Sequence, residues 1–331
     1  MRFWLVPLFA LSFSTDAHIG GGEDPLVKKK EDPLTQQKSG YCKNVIGLYN
    51  AGTGISENYV FDQSLYQFSV DTLAQVKFWR EIMNMHQDSA IISFAHTREK
   101  IALIHINDWN AKTEEQKKFY RDSLRNARCY DSTARVLITS GKRFFYDFDR
   151  TSKNFHQGIN CFVANGVDPW YAQAILLIES PNKLQKSNVG AYGPFQLMKG
   201  VAKMYGLKVN KHEDERADFD RSAYAASSLI KKICIPYAHK MLDSVGICDV
   251  NEEELWFRLL VMHVYHAGAY NVQKAVLTLR PTEGNMNLIY NLWQTQAGRF
   301  KMSSQNYSQL VLAAMLEMDA RSGATQYLSA R

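Results

Sequence analysis

"LLIESPNKLQKSNVGAYGPFQLM", residues 176 to 198, sets one carboxylate, Glu179, directly after the apolar run Ile175 to Ile178 and then breaks into a loop punctuated by glycine. Just upstream, Asp168-Pro169 has the form of a helix start, an N-cap acceptor followed by a proline whose missing N–H costs nothing at the first helical position. The pattern predicts a buried helix over "DPWYAQAILLIES" that ends on an ionisable group. Two readings of that end are open. Either Glu179 turns its carboxylate to water and "SNVGAYGPF" is a surface loop, or the carboxyl is kept among Ile175, Leu176, Leu177 and Ile178. In the second case its pKa rises and it can deliver a proton near neutrality.

Outward from this stretch, helical spacing of apolar residues dominates. It runs through "QFSVDTLAQVKFWREIMNMH", "TEEQKKFYRDSLRNA", "ARVLITSGKRFFYDF", "FHQGINCFVANG", "RSAYAASSLIKKI", "EEELWFRLLVMHVYHAG" and "SQNYSQLVLAAMLEMDA". The shorter "AIISFAH…KIALIHI" reads equally as strand or buried helix. The fold class expected is mainly α, in two parts: a mostly helical accessory region over 46–140 and a larger helical domain over 141–331.

The chain has 331 residues, 46% hydrophobic and 22% charged, which places it among globular proteins. Residues 1–17 have an Arg near the start, an apolar run from Phe3 to Phe13 and small residues after it, the pattern of a cleaved secretory signal. Residues 18–45 form a basic linker that carries part of the net charge of +6. An exported protein is therefore expected, in the periplasm or cell envelope, with no stable membrane insertion after cleavage. The most apolar later stretch, "LWFRLLVMHVY", is interrupted by Arg258 and His263. Five cysteines show no metal-ligand spacing, and Cys234 with Cys248 is the first candidate for a disulfide. No phosphate-binding glycine loop, HExxH or aromatic-basic nucleic-acid pattern is present, so neither a metal, a cofactor nor a nucleic-acid partner is implied.

The loop after Glu179 reads Ser187, Gly190, Ala191, Gly193, Gln196, Met198, in the order S-x-x-G-A-x-G-x-x-Q-x-M. With Glu179-Ser180 before it, this resembles the signature of lytic transglycosylases of the soluble type, relatives of goose-type lysozyme. Three further landmarks follow in order. "YGLKVNKHEDERADFDRSAYAASSLI" is similar to the segment found in the membrane-bound lytic murein transglycosylase D subgroup. "VYHAGAYNV" stands where the family carries A-Y-N-A-G, and "SQNYSQLVLAA" where it carries E-T-R-x-Y-V. The resemblance spans about Ser152 to Asp319 and implies a lysozyme-like catalytic domain that cleaves the MurNAc-GlcNAc β-1,4 bond of peptidoglycan, its partner. Glu179 would act alone as acid and then base, the sugar's own 6-hydroxyl closing a 1,6-anhydro end.

The same resemblance gives the other matched residues roles. Ser187 and Tyr265 are expected to hydrogen-bond Glu179 or an acetamido group. Gly190 and Gly193, beside Ala191, would leave room for a sugar face, Gln196 would read an amide, Met198 would touch a ring, and Tyr307 would line the cleft. Each also has an ordinary structural reading as turn, core or helix face. Two departures stand out: His266 replaces an Asn and brings a group that ordinarily titrates near neutrality, with Tyr270 replacing a glycine nearby, and Ser303 replaces the Glu assigned to peptide-bearing substrate. Glu215, Arg216 and Asp218 read as a structural ion-pair cluster. Two other function classes remain: a lysozyme-type hydrolase with Asp214 or Asp218 positioning water, and a non-catalytic glycan-binding module.

Overall fold

The computed structural model describes residues 44–50, 55–179 and 186–322. The expected signal, almost all of the basic linker, Cys42 and Ser180 lie outside the described residues. The chain is mainly helical, as expected. Its centre is helix α7, Pro169–Glu179, all of whose residues are buried. As predicted, the helix begins at Pro169, and Asp168 Oδ1 accepts from the Trp170 backbone N–H at 2.9 Å.

The chain reaches α7 through an N-terminal region that mixes strands with helices. A β-hairpin comes first, β1 (Val45–Asn50) with β2 (Ile55–Val60), paired from Val45 opposite Val60 to Asn50 opposite Ile55. Helices α1 (Ser64–Gln67) and α2 (Ala74–Asn84) follow. A three-stranded antiparallel sheet comes next, β3 (Ser89–Phe94) lying between β4 (Lys100–His105) and β5 (Val136–Ser140). Between β4 and β5 run α3 (Ile106–Asn110) and α4 (Glu114–Ala127), the latter started by a capping box between Thr113 and Gln116.

The stretch with two readings is thus a pair of strands. "ARVLITSGKRFFYDF", expected to be helical, instead forms β5: its β-branched "VLITS" pairs with β3, placing Ile138 opposite Ile92. Ile92, Phe94, Trp109 and Val136 make a small core under this sheet.

Helices α5 (Phe148–Ser152) and α6 (Phe155–Ala164) lead into α7. After it come α8 (Lys199–Met204), α9 (Phe219–Leu229), α10 (Ile235–Asp243), α11 (Leu255–Ala267), α12 (Ala269–Leu279), α13 (Met286–Leu292) and the long α14 (Met302–Ser322). Between α9 and α10 the helical path slips into one π turn, Ile230–Cys234. Pro236 stands just after it, lacking the N–H that an unbroken α ladder would need. Cys234 on this turn is buried and Cys248 is exposed, and both are free thiols, so the expected disulfide is not formed. The turn aims Cys234 into the core, away from a surface partner. No helix of the described residues is long and apolar enough to cross a membrane.

Three polar groups hold α7 in this otherwise apolar centre. Arg258 of α11 is buried and donates through Nε to Asp168 Oδ2 at 2.7 Å, with Nη1 3.6 Å from Asp62 Oδ2. Asp62 also accepts from Trp170 Nε1 at 2.8 Å. Gln173, midway along α7, accepts from the Val60 backbone N–H and donates to the Val60 carbonyl, both at 2.9 Å, pairing with the edge of β2 as another strand would. The third group is Glu179 itself. One hydrophobic core runs without interruption from Tyr59 and Val60 through α7 and α11 to Met318.

Removing one member of a buried ion pair leaves the other charged and unsolvated. Arg258→Leu should therefore cost about 3–5 kcal/mol, read as a lowered urea midpoint. A loss under about 1 kcal/mol would show that Asp168 and Asp62 are solvated without it.

Candidate active site

Glu179 ends α7 with its side chain buried, after the buried run Ile175, Leu176, Leu177 and Ile178. Among the described residues its carboxyl accepts one hydrogen bond, from the Tyr307 hydroxyl to Oε1 at 2.7 Å. Burial pushes the pKa up from 4.5 to about 7, while the Tyr307 hydrogen bond pulls it back toward the ionised form. The phenols of Tyr146 and Tyr307 are held above their ordinary range, first by burial and then by the Glu179 charge. They remain donors across the physiological range. The site is thus a carboxyl that gains and loses a proton near neutrality, surrounded by groups that do not.

Tyr307 reaches Glu179 from α14, one of the last helices in the chain. His266 lies on its other face: the two rings stack at 4.0 Å between centroids and 21° between planes. The expected titration of His266 near neutrality does not arise, because burial lowers its pKa to about 4. It is a neutral ring that fixes the plane of Tyr307. Behind it, His263 bonds through Nε2 with Ser308 Oγ at 2.9 Å, and Ser308 also accepts from Trp293 Nε1 at 2.8 Å.

The glycine-punctuated loop takes a shape that differs in detail from the sequence reading. Ser187 does not bond Glu179; its Oγ accepts from the Ala191 N–H at 2.9 Å, closing the turn in which Ala191 is buried. Gly193 has φ +89°, and a Cβ there would lie 1.8 Å from the Arg216 carbonyl oxygen, so the close approach it permits is to the protein's own backbone. Gly190, at φ +88°, meets no such obstruction.

Gln196 is buried in the left-handed region at φ +47°, its Nε2 donating to the Gly193 carbonyl at 3.0 Å. Met198 caps α8 and packs against the core. Tyr265 donates to the Phe195 carbonyl at 2.6 Å instead of to Glu179, and so fastens this loop to α11. These residues build the wall of the site, and Tyr307 is bonded to the acid.

Arg216 is the residue that the sequence reading undervalued. It is buried, and its guanidinium donates to the carbonyls of Gly190 at 2.8 Å and Leu197 at 2.9 Å, gripping both ends of the loop. Asp214 holds it from behind with two bonds, 2.8 Å from Nε and 2.7 Å from Nη2, and those bonds keep the Asp214 carboxyl below its usual range. Asp218 accepts from the Arg221 N–H at 2.8 Å as the N-cap of α9, and Glu215 pairs with Arg221 at 3.1 Å. Asp214, Glu215 and Asp218 are thus occupied in building the loop and its flanks.

Residues 162–284 match the transglycosylase SLT domain family. The chain therefore carries a domain of lytic transglycosylase type, the class that acts on peptidoglycan. The matched segment holds Glu179, the clamped loop and His266, and it ends before Tyr307. No curated protein matches the chain.

Because Tyr307 favours the ionised acid, Tyr307→Phe should raise the Glu179 pKa further and move the alkaline limb of the pH–rate profile up by roughly one unit. His266→Asn should add no inflection near neutrality and remove none. A profile unmoved in the first variant, or one that loses a limb near pH 6–7 in the second, would contradict these assignments.

Proposed function

We propose that the protein is a lytic transglycosylase that cuts the MurNAc-GlcNAc β-1,4 bond, with Glu179 as its single general acid and base, and that it stands nearest the membrane-bound lytic murein transglycosylase D subgroup. The observation that carries this reading is the buried Glu179 carboxyl with a pKa of about 7. A glycosidic oxygen leaves as an alkoxide unless it is protonated, and a carboxylic acid protonated near neutrality is the group that does this.

Once the bond breaks, the same carboxylate removes the proton from the 6-hydroxyl as that oxygen closes on the anomeric carbon. The proton count balances and water takes no part. A retaining or inverting hydrolase needs a second carboxylate about 5–10 Å from the first. Asp214 and Asp218 are committed to Arg216 and to the α9 cap, and residues 180–185, "SPNKLQ", contain no acid. We also propose export to the cell envelope, on the strength of the N-terminal apolar segment.

Two measurements test the proposal. Digestion of peptidoglycan sacculi in ¹⁸O-labelled water should release muropeptides ending in 1,6-anhydromuramic acid, with no label at the new ends; labelled reducing ends would make water the acceptor and the enzyme a hydrolase. Glu179→Gln should lose at least roughly 10²-fold in cleavage while remaining folded. The folded state binds the Glu179 proton more tightly than the unfolded chain does, so wild-type stability falls as pH rises from 4.5 to about 7. The Gln variant escapes that loss, and its stability relative to wild type should grow over this interval. A variant that clears sacculi at the wild-type rate would remove Glu179 from the mechanism.

A further inference from the structure

Arg98 lies in the turn between β3 and β4, with left-handed backbone at φ +57° and its side chain buried. It has no carboxylate partner among the described residues. Its Nη2 donates to Asn306 Oδ1 at 2.9 Å, its guanidinium lies 5.0 Å from the Phe78 ring and 5.2 Å from Trp79, and its Nε has no partner. Burial, and then repulsion from Arg135, lowers its pKa to about 10. Two like charges therefore sit close together. Arg135 is exposed, and its side chain has no ion-pair or hydrogen-bond partner among the described residues.

Beside them is an open pocket of about 380 Å³ with walls from both parts of the chain. His96, Tyr130 and Arg135 come from the accessory region; Trp293, Gln294 and Asn306 come from α13, its exit and α14. Asp131 also lines it; its Oδ1 accepts from the Thr133 backbone N–H at 2.7 Å and from the Thr133 hydroxyl, bonds that fix the carboxyl in that turn and hold it ionised, one negative charge beside the positive charges of Arg98 and Arg135. Because the Arg98 guanidinium has only donors, the Asn306 oxygen must face it, leaving the Asn306 amide N–H groups for the pocket. Gln294 spends its Nε2 on the His96 carbonyl at 2.8 Å and keeps its oxygen as an acceptor.

A guanidinium that makes no ion pair among the described residues, an amide donor, an amide acceptor and aromatic faces are the complement of a peptide that ends in a free carboxylate. We propose that this pocket binds the carboxylate end of a peptide stem on the peptidoglycan strand being cut, Arg135 taking the carboxylate and Asn306 and Gln294 the backbone amides. Arg98 contributes charge and the orientation of Asn306. The inference rests on the peptidoglycan-cleaving function proposed above, and it gives the accessory region a part in substrate choice. Asn306 immediately precedes Tyr307, so the pocket and the hydrogen-bond donor to Glu179 share one helix, α14.

The test uses the full chain and two synthetic probes, a stem tetrapeptide with a free C-terminal carboxylate and the same peptide as its C-terminal amide, with binding followed by calorimetry. The acid should bind about tenfold more tightly than the amide, and Arg135→Ala should erase the difference. In parallel, the ratio of cutting rates on peptide-bearing and peptide-free glycan strands should fall several-fold in the same variant. Equal binding of acid and amide by wild type, no binding of either, or a preference that survives in Arg135→Ala would overturn the proposal. Failure to cut either kind of strand would instead count against the proposed function, because the calorimetric result does not depend on turnover.

Discussion

Every side chain of helix α7 is shut away from water, and the rest of the structure is arranged around what that costs. Polar groups on or beside a helix of eleven buried residues are costly without partners, and apart from the Tyr171 hydroxyl the main ones find them. Asp168 finds Arg258, Gln173 finds the backbone of Val60, and Glu179 finds Tyr307. The first two bonds tie the helix to α11 and to the N-terminal hairpin, fixing its direction and depth. The third is different in kind. One hydrogen bond from a phenol does not offset the loss of solvent around a carboxylate, and the excess appears as a raised pKa. The burial that makes α7 a stable centre thus makes its last residue reactive.

The site is assembled from distant segments. The acid comes from α7, its hydrogen-bond donor from α14, the ring stacked on that donor from α11, and the wall from the loop gripped by Arg216. A neutral His266 suits this arrangement, since a charged imidazolium against Tyr307 would favour ionised Glu179 and lower the pKa that the chemistry needs. The loop is held by charge-assisted bonds from a buried guanidinium, so its shape is set before any substrate arrives.

Much of this was legible in the sequence, and the divide between what was and what was not follows contact range. The start of α7 at Asp168-Pro169 and its end at Glu179 are local signals, capping chemistry and an apolar run, and both held. The helical stretches that became α4, α11 and α14 held as well. The β5 strand was missed because its apolar residues fit either period, and pairing with β3 more than forty positions away decides the matter. Arg258 and His263 read as interruptions of an apolar helix, yet both are core residues whose partners lie far along the chain. Arg216 looked like one charge in an acidic cluster, and nothing local shows that it turns inward to the carbonyls of Gly190 and Leu197. Glu179 was identified by motif and apolar context; its bond to Tyr307, across 128 positions, required the fold.

The proposed chemistry depends on the protonation state of one carboxyl, and that state can be observed without substrate. Infrared difference spectra between wild type and Glu179→Gln, taken across a pH titration of the resting protein, isolate the carboxyl stretch of Glu179. A protonated-acid band should persist to neutrality and be half lost near pH 7. A band that vanishes near pH 4.5, the ordinary value for this side chain, would mean that Glu179 is ionised at neutrality and cannot deliver the proton on which the proposed chemistry depends.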